Sequence, residues 1–298
     1  MTLVDLDRLF NTDVKCRELL ARLRWPNGAE CPRCKGNAIE LATEKQLFYC
    51  KECDYQFSVT AGTIFNDSHL PLRTWFTVTL LLCEARKGIS ANQIKRTLGV
   101  SYKTAWYLCH RIRAAMREYD LAALGGTVEM DETYIGAKQH GTQRKPGFGD
   151  SKKQIVLAIR QRGGDVRFFH AADARVGTLA AFIQEHIAED VDVIVTDEYG
   201  AYPPAVAKAG IRGKHKTIKH KAGIYVDGDI HTNIVENAFS LLKRGIIGTW
   251  HRISAKHLAA YLDEMQFRFN RRKRSDLFLD TLRHMVTAPV LTFEKLTA

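Results

Sequence analysis

Asp131, Asp197, Glu236 and Lys243 are residue types that could serve one chemistry together. Carboxylate oxygens are the ligands that hard divalent cations such as Mg²⁺ and Mn²⁺ prefer, and these cations tolerate retained water. Two such ions a few ångströms apart activate an attacking water or hydroxyl and stabilise the leaving oxygen at a phosphodiester. One carboxylate must then bridge both ions, and the mid-strand position of Asp131 suits it; Asp197 and Glu236 would each complete one ion. Lys243 follows Glu236 by two helical turns, and a cation beside a carboxylate suits a site that handles metal and phosphate together. Taken singly, each acid reads as an ordinary surface residue. Their order along the chain is what makes a site of them.

The elements that must carry these residues are legible from periodicity. Wound as a helix, His231 to Arg244 places Asn233, Glu236, Asn237, Ser240, Lys243 and Arg244 on one face. Ile234, Val235, Ala238, Phe239, Leu241 and Leu242 fall on the other, where a core can hold them. Thr127 to Ile135 alternates as a strand, with Val128 and Met130 on one side and Glu129, Asp131 and Thr133 on the other. Val191 to Asp197 is an apolar strand ending in an acid. Glu132 and Glu198 adjoin the chosen aspartates, but strand neighbours point to opposite faces. Between these elements the sequence predicts a basic, Gly-rich loop over 138–153 and a strand pair, Gln154 to Arg160 and Val166 to Ala172, turning at Gly163-Gly164. Helices over Thr178 to Glu189 and Gly200 to Gly210 follow, then a basic strand region from Lys214 to Val226 and a last long helix from Ser254 to Arg271.

A second chemistry sits near the start. Cys31-Pro32-Arg33-Cys34 and Cys50-Lys51-Glu52-Cys53 are separated by fifteen residues. Two such knuckles suit one four-thiolate Zn²⁺, with the intervening segment as a hairpin that returns the second pair. Gly36 and Asn37 supply a turn, and Leu47, Tyr49, Tyr55 and Phe57 alternate like ribbon strands. Four protein ligands leave no open position, so this zinc is structural, and it supplies much of the folding free energy of so small a core. Residues before it read as a helical lead-in closed by Pro26-Asn27-Gly28. Cys16, Cys83 and Cys109 stand among apolar residues and read as core.

Leu72 to Arg86 reads as an apolar helix. After it, Ser90 can cap one helix, Gly99 end it and Ser101 cap another, the pattern of a helix-turn-helix. Tyr102 and Lys103 would lie at the start of a recognition helix, where side chains reach bases; Lys95, Arg96, Arg111 and Arg113 would face phosphates. The charge balance agrees: 44 Lys and Arg against 33 Asp and Glu give +11, and 15 basic against 5 acidic residues fall between Ala201 and Ser275. That excess points to a polyanionic partner and includes Arg244, Arg271 and Arg272. No stretch reads as a signal peptide or a membrane span, so a cytoplasmic protein in a reducing compartment, with thiols and not disulfides, is expected. The domain reading is a lead-in and zinc ribbon over 1–65, a helix-turn-helix region over 66–120, a catalytic α/β domain over 121–275 and a helical tail over 276–298.

These pieces together resemble a known family. The double knuckle, Met130-Asp131-Glu132-Thr133-Tyr134, Thr196-Asp197-Glu198-Tyr199-Gly200-Ala201-Tyr202, the run from His231 through Asn233 and Glu236 to Lys243-Arg244, and Phe267-Arg268-Phe269-Asn270-Arg271 look like a bacterial insertion-sequence transposase of the DDE type with an N-terminal zinc ribbon. The resemblance implies a ribonuclease-H-like catalytic domain with a mixed sheet and Mg²⁺-dependent cleavage of double-stranded DNA at the inverted repeats of the element. It further implies joining of the freed 3′-OH to target DNA, and a homodimer or larger assembly on paired ends. Lys243 would contact DNA near the cleaved phosphate. In some members of this subgroup the third ligand is asparagine, which makes Asn233 a second candidate beside Glu236; an anionic oxygen binds a hard cation better than a neutral amide.

Overall fold

The computed structural model describes residues 1–43, 46–136, 153–218 and 231–298. The loop expected over 138–153 lies outside these residues apart from Lys153, as does the part of the expected basic strand beyond residue 218. The chain forms two compact units, Met1–Arg117 with Arg271–Ala298, and Glu118–Asn270.

In the first unit the lead-in is two helices, α1 (Leu3–Leu9) and α2 (Asp13–Arg24), because Thr12 starts a new helix by accepting a bond from the Lys15 amide. Cys16 and Leu20 are its buried residues. The ribbon is a three-stranded antiparallel sheet of β1 (Ala38–Glu40), β2 (Leu47–Cys50) and β3 (Tyr55–Ser58). On β2 the inward face is that of Phe48 and Cys50, which are buried, with Leu47 and Tyr49 less so. Cys50 must aim its sulfur inward, so the period of two carries Phe48 in with it, where Trp25 meets it edge-on at 4.8 Å. Next come α3 (Leu72–Glu84), α4 (Ala91–Leu98) and α5 (Tyr102–Ala115). The Ser90 and Ser101 hydroxyls cap α4 and α5, and Gly99 takes the left-handed conformation, φ 66°, that closes α4.

The second unit is built on a five-stranded sheet of β4 (Thr127–Ile135), β5 (Gln154–Gln161), β6 (Val166–Ala171), β7 (Val193–Thr196) and β8 (His215–Thr217), in the order β6-β5-β4-β7-β8. β5 runs antiparallel to both neighbours, and β4, β7 and β8 are parallel, so the sheet is mixed. One face packs Val128, Met130, Leu157 and Ile159 against α6 (Val176–His186) and α7 (Tyr202–Lys208). The other packs Val156, Ala158, Val166 and Phe168 against α8 (Asn233–Gly245) and α9 (Ala255–Asn270). The hydrophobic run of β5 thus splits between two cores, residue by residue. A π-helical turn, Ile246–Trp250, joins α8 towards α9.

β6 is an edge strand, and α9 covers it with side-chain amides one turn apart. Gln266 Oε1 accepts from the Phe168 amide at 2.9 Å, Asn270 Oδ1 accepts from the Val166 amide at 2.9 Å, and Asn270 Nδ2 donates to the Val166 carbonyl at 3.1 Å. These bonds occupy backbone groups of Val166 and Phe168 that could otherwise template another strand. The closing segment, α10 (Leu277–Thr287) and α11 (Phe293–Thr297), belongs to the first unit and buries Phe278, Leu282, Met285 and Val286. No helix of the described residues is long and apolar enough to cross a membrane.

Replacing Asn270 by Ala removes the acceptor for the Val166 amide and one donor to its carbonyl, where the Arg167 guanidinium remains at 3.1 Å. We expect a loss of about 1–3 kcal/mol in urea unfolding of the sheet unit. A loss under about 0.5 kcal/mol, the range of an ordinary surface substitution, would show that water replaces the amide there.

Candidate active site

The placement of the acids follows from strand register. β4 and β7 are parallel, with Thr127 opposite Val193 and Glu129 opposite Val195. Continued one step past Thr196, that register sets Asp197 level with Asp131, one strand away, where neighbouring strands are about 4.8 Å apart. Asp131 lies opposite Ala158 on β5, and Ala158 packs in the core beneath α8 and α9, so Asp131 shares their face. Glu236 comes from the first turn of α8. There Val235, Ala238, Phe239 and Leu242 are buried while Asn233, Glu236, Asn237, Lys243 and Arg244 are exposed, the two faces expected from the sequence.

The acids sense one another. The Asp131 carboxyl is pushed up to about 7, first by burial, then by the negative charges of Glu132, Asp197 and Glu236; a bond from the Glu132 amide at 2.8 Å opposes this. Each of the three has an oxygen oriented by a nearby donor: Asp197 Oδ1 accepts from the Tyr199 amide at 3.0 Å, and Glu236 Oε1 from the Thr232 hydroxyl at 2.9 Å. An all-oxygen donor set with unneutralised repulsion at a half-buried aspartate fits hard divalent cations. The carboxylates are not packed as tightly as the thiols described below. Among the described residues, only the four cysteines form a group whose ligand atoms all lie within 4.8 Å of one another.

Glu132 does point away, opposite Leu157 and towards the α6/α7 face, where the buried Tyr202 hydroxyl donates to it. Burial raises the Glu132 carboxyl, and the Tyr202 bond lowers it. Its charge still weighs on Asp131 more than that of either other site acid, which alternation along a strand does not reveal. Sequence reasoning also left Glu129 without a role. It is fully buried on the Asp131 side of β4 and bonded to the start of α8; the available signal was an acid two residues before Asp131 on the same face.

The residues expected to meet DNA divide into two groups. Lys95, Arg96, Lys103, Lys243, Arg244 and Arg272 are exposed, and Tyr102 is half-exposed. The Lys103 ammonium lies over the Phe293 ring at 4.2 Å, and Arg244 folds back on Ser240. Arg111 is a correction. Its residue is only 4% exposed, its guanidinium donates to the Asn66 carbonyl at 2.6 Å and packs over Trp75, and burial lowers its pKa. Helical spacing put Arg111 and Arg113 on the apolar side of α5, and both are buried. Arg271 is likewise turned inward, ion-paired to Asp280 at 2.7 Å with little exposure.

In the ribbon, Cys31 and Cys53 sulfurs are 3.6 Å apart and those of Cys34 and Cys50 3.4 Å apart. Zn–S bonds of about 2.3 Å in a tetrahedron require sulfurs about 3.8 Å apart, so the four thiols fit one structural zinc. The residue after each knuckle, Lys35 and Asp54, takes a left-handed conformation, φ 66° and 52°, and the Arg33 amide donates to Cys31 Sγ at 3.4 Å. Burial opposes ionisation of Cys31, but amide bonds from Cys34 and Arg33 and the neighbouring thiols prevail and bring it down to about 7.

A thiolate ribbon joined to an acid trio on a mixed sheet places the protein in the class of zinc-ribbon DDE transposases, and direct comparison agrees. A family model for the transposase zinc-ribbon domain matches residues 11–56, and one for the ISXO2-like transposase domain matches residues 123–270. The chain belongs to this ISXO2-like transposase family. It is 28% identical, over 88% of its own length and 92% of the other, to an uncharacterized protein in transposable element ISH50 of Halobacterium salinarum. Among solved structures it is similar to the Mos1 strand transfer complex at 9% identity and TM-score 0.31, covering 71% of this chain and 74% of that one. It is also similar to a pre-cleavage Mos1 transpososome at 10% identity and TM-score 0.25, covering 73% and 79%.

Two outcomes are expected. Chelating the zinc, or replacing Cys31 by Ser, should release one zinc per chain and unfold the ribbon. Trp25, packed on Phe48 and Phe57, reports this by fluorescence, while the transition of the sheet unit stays in place. For Asp131, a folded value near 7 against an ordinary 3.8 stabilises the fold at pH below about 4, an advantage lost as pH rises through 7. In metal-free protein at pH 8, Asp131→Asn should therefore raise Tm by about 2–4 °C for each kcal/mol of repulsion relieved. Mg²⁺ should raise the Tm of the wild type and not of the variant; equal shifts in both would remove Asp131 from the metal site.

Proposed function

We propose that this transposase binds the terminal inverted repeats of an insertion sequence, cleaves the double-stranded DNA there by metal-dependent phosphodiester hydrolysis, and joins the freed 3′-OH to target DNA. The observation that carries this reading is the burial-raised Asp131, whose charge meets those of Asp197, from the end of the parallel neighbour strand, and Glu236, from α8. The five-stranded mixed sheet with helices on both faces supports the ribonuclease-H-like architecture that the resemblance implies.

Asp131, Asp197 and Glu236 would hold the divalent cations, with Asp131 the candidate shared ligand, and Asn233, exposed one turn before Glu236 on α8, would assist. Bound there, a pair of Mg²⁺ or Mn²⁺ ions supplies activation of the attacking oxygen and stabilisation of the leaving one. Lys243, exposed two turns beyond Glu236, contacts the DNA backbone near the cleaved phosphate. In the first unit, α4 and α5 with their tight Gly99 turn act as a helix-turn-helix, with Tyr102 and Lys103 at the start of the recognition helix and Lys95 and Arg96 on phosphates. Arg244 and Arg272 extend the cationic surface. The protein works in the cytoplasm, as a dimer or larger assembly on paired ends.

The test is incubation of zinc-loaded protein with candidate element ends and Mg²⁺, followed by mapping of the cut strands. Asp131→Ala, Asp197→Ala and Glu236→Ala should each lose at least ~10³-fold in cleavage, several kcal/mol of transition-state stabilisation, with end binding largely kept. Lys243→Ala should lose less. Wild-type nicking by any of the three acid variants removes that acid from the site, and binding without nicking by the unaltered protein would favour a DNA-binding regulator.

A further inference from the structure

The start of α8 lacks a side-chain cap of its own. Thr232 stands at the N-cap position but makes no capping bond, and its hydroxyl is turned to Glu236 instead. Helix-start amides have no partner within the helix and need one from outside. Here it comes from another element: Glu129 Oε2 accepts from the Ile234 amide at 2.8 Å and the Val235 amide at 3.1 Å. Glu129 is 0% exposed. Its other oxygen accepts from Arg162 Nε at 3.0 Å and lies 3.1 Å from His231 Nδ1. The clamp is reinforced from β5 and the turn after it, where Arg160 donates to the Ile234 carbonyl at 2.5 Å and Arg162 to the His231 carbonyl at 3.3 Å.

Glu129 is two residues from Asp131 on the same face of β4, and the amides it holds immediately precede Glu236. One carboxylate therefore joins the strand carrying the first acid to the helix turn carrying the third. We infer that Glu129 is a positioning residue for the DDE site: by capping α8 across the sheet it fixes Glu236 in register with Asp131. The buried carboxylate itself touches neither substrate nor metal. This inference rests on the active-site reading above.

Glu129→Asp keeps the charge but shortens the reach by one methylene. Glu129→Gln keeps the size but offers one acceptor oxygen and turns an amide donor towards either Arg162 or the α8 amides. Full-length, zinc-loaded protein is compared in single-turnover cleavage of element ends across a Mg²⁺ titration, well below Tm, with end binding measured alongside. A shift of about 1 Å in a reacting group costs on the order of 10²-fold. Both variants should therefore cleave ~10²-fold more slowly at saturating DNA, need several-fold more Mg²⁺ for half-maximal rate, and bind ends as the wild type does. A residue that merely holds the fold together would lower Tm and leave the Mg²⁺ midpoint of the folded fraction unmoved.

Wild-type rates and Mg²⁺ midpoints in either variant, or a rate loss matching the fraction unfolded, would overturn the inference. Should both variants fail to fold, Arg162→Gln, which loosens the same carboxylate from its half-exposed side, decides by the same two readouts. Asp131→Ala runs in parallel: activity retained there sinks the active-site reading itself, whereas activity lost there and unchanged in the Glu129 variants sinks only the positioning role.

Discussion

Bringing carboxylates together is electrostatically unfavourable, and the architecture of the sheet unit is arranged around that fact. Asp131 bears the largest share, since it is partly desolvated and feels the charge of three other acids. Left to local energetics the acids would turn to water and separate. They are held by connections that do not depend on their charge: the β4–β7 register, continued past Thr196, brings Asp197 level with Asp131, and two hydrophobic cores clamp the sheet from both sides. Repulsion of this kind destabilises the metal-free protein and becomes binding energy for a cation, because neutralisation relieves it.

α8 is the element on which this arrangement depends most, since a helix is free to slide or rotate over a sheet unless something pins it. Burial of Val235, Ala238, Phe239 and Leu242 fixes which face is inward. Apolar packing tolerates small translations; directed hydrogen bonds do not. The bonds from Glu129, Arg160 and Arg162 at residues 231–235 therefore set the position of the helix along its axis. An anionic group at a helix N-terminus is also favoured by the macrodipole, so the clamp stabilises α8 as it places it.

Much of this was readable in the sequence, for identifiable reasons. The helix over His231 to Arg244 has a strong amphipathic period, the strand over Thr127 to Ile135 a clear alternation, and the knuckle spacing leaves few alternatives; all three appear within a residue or two of the expected bounds. What periodicity does not report is which partner a polar side chain finds. Arg111 and Arg113 looked like phosphate contacts because charge suggests exposure, yet α5 carries both into its buried side, where Arg111 packs on aromatic rings. Glu129 looked like one more strand acid because the helix amides it caps lie more than a hundred residues away. The return of residues 271–298 to the first unit is long-range in the same way, and a local pattern carries no trace of it.

β4 shows how one strand can satisfy several demands at once. Val128 and Met130 feed the core under α6 and α7, while Glu129 and Asp131 face α8. Of those two acids, one is sealed, accepting three hydrogen bonds and lying beside the His231 ring, and the other is left half-open with an amide bond from Glu132. Two residues of the same strand face thus differ in how fully their charge is compensated. The compensated one serves the scaffold and the uncompensated one retains the capacity to bind a cation. A one-residue slip of β4 would turn both acids into the apolar core and both apolar residues outward. The same alternation that buries the core therefore also enforces the register of the site.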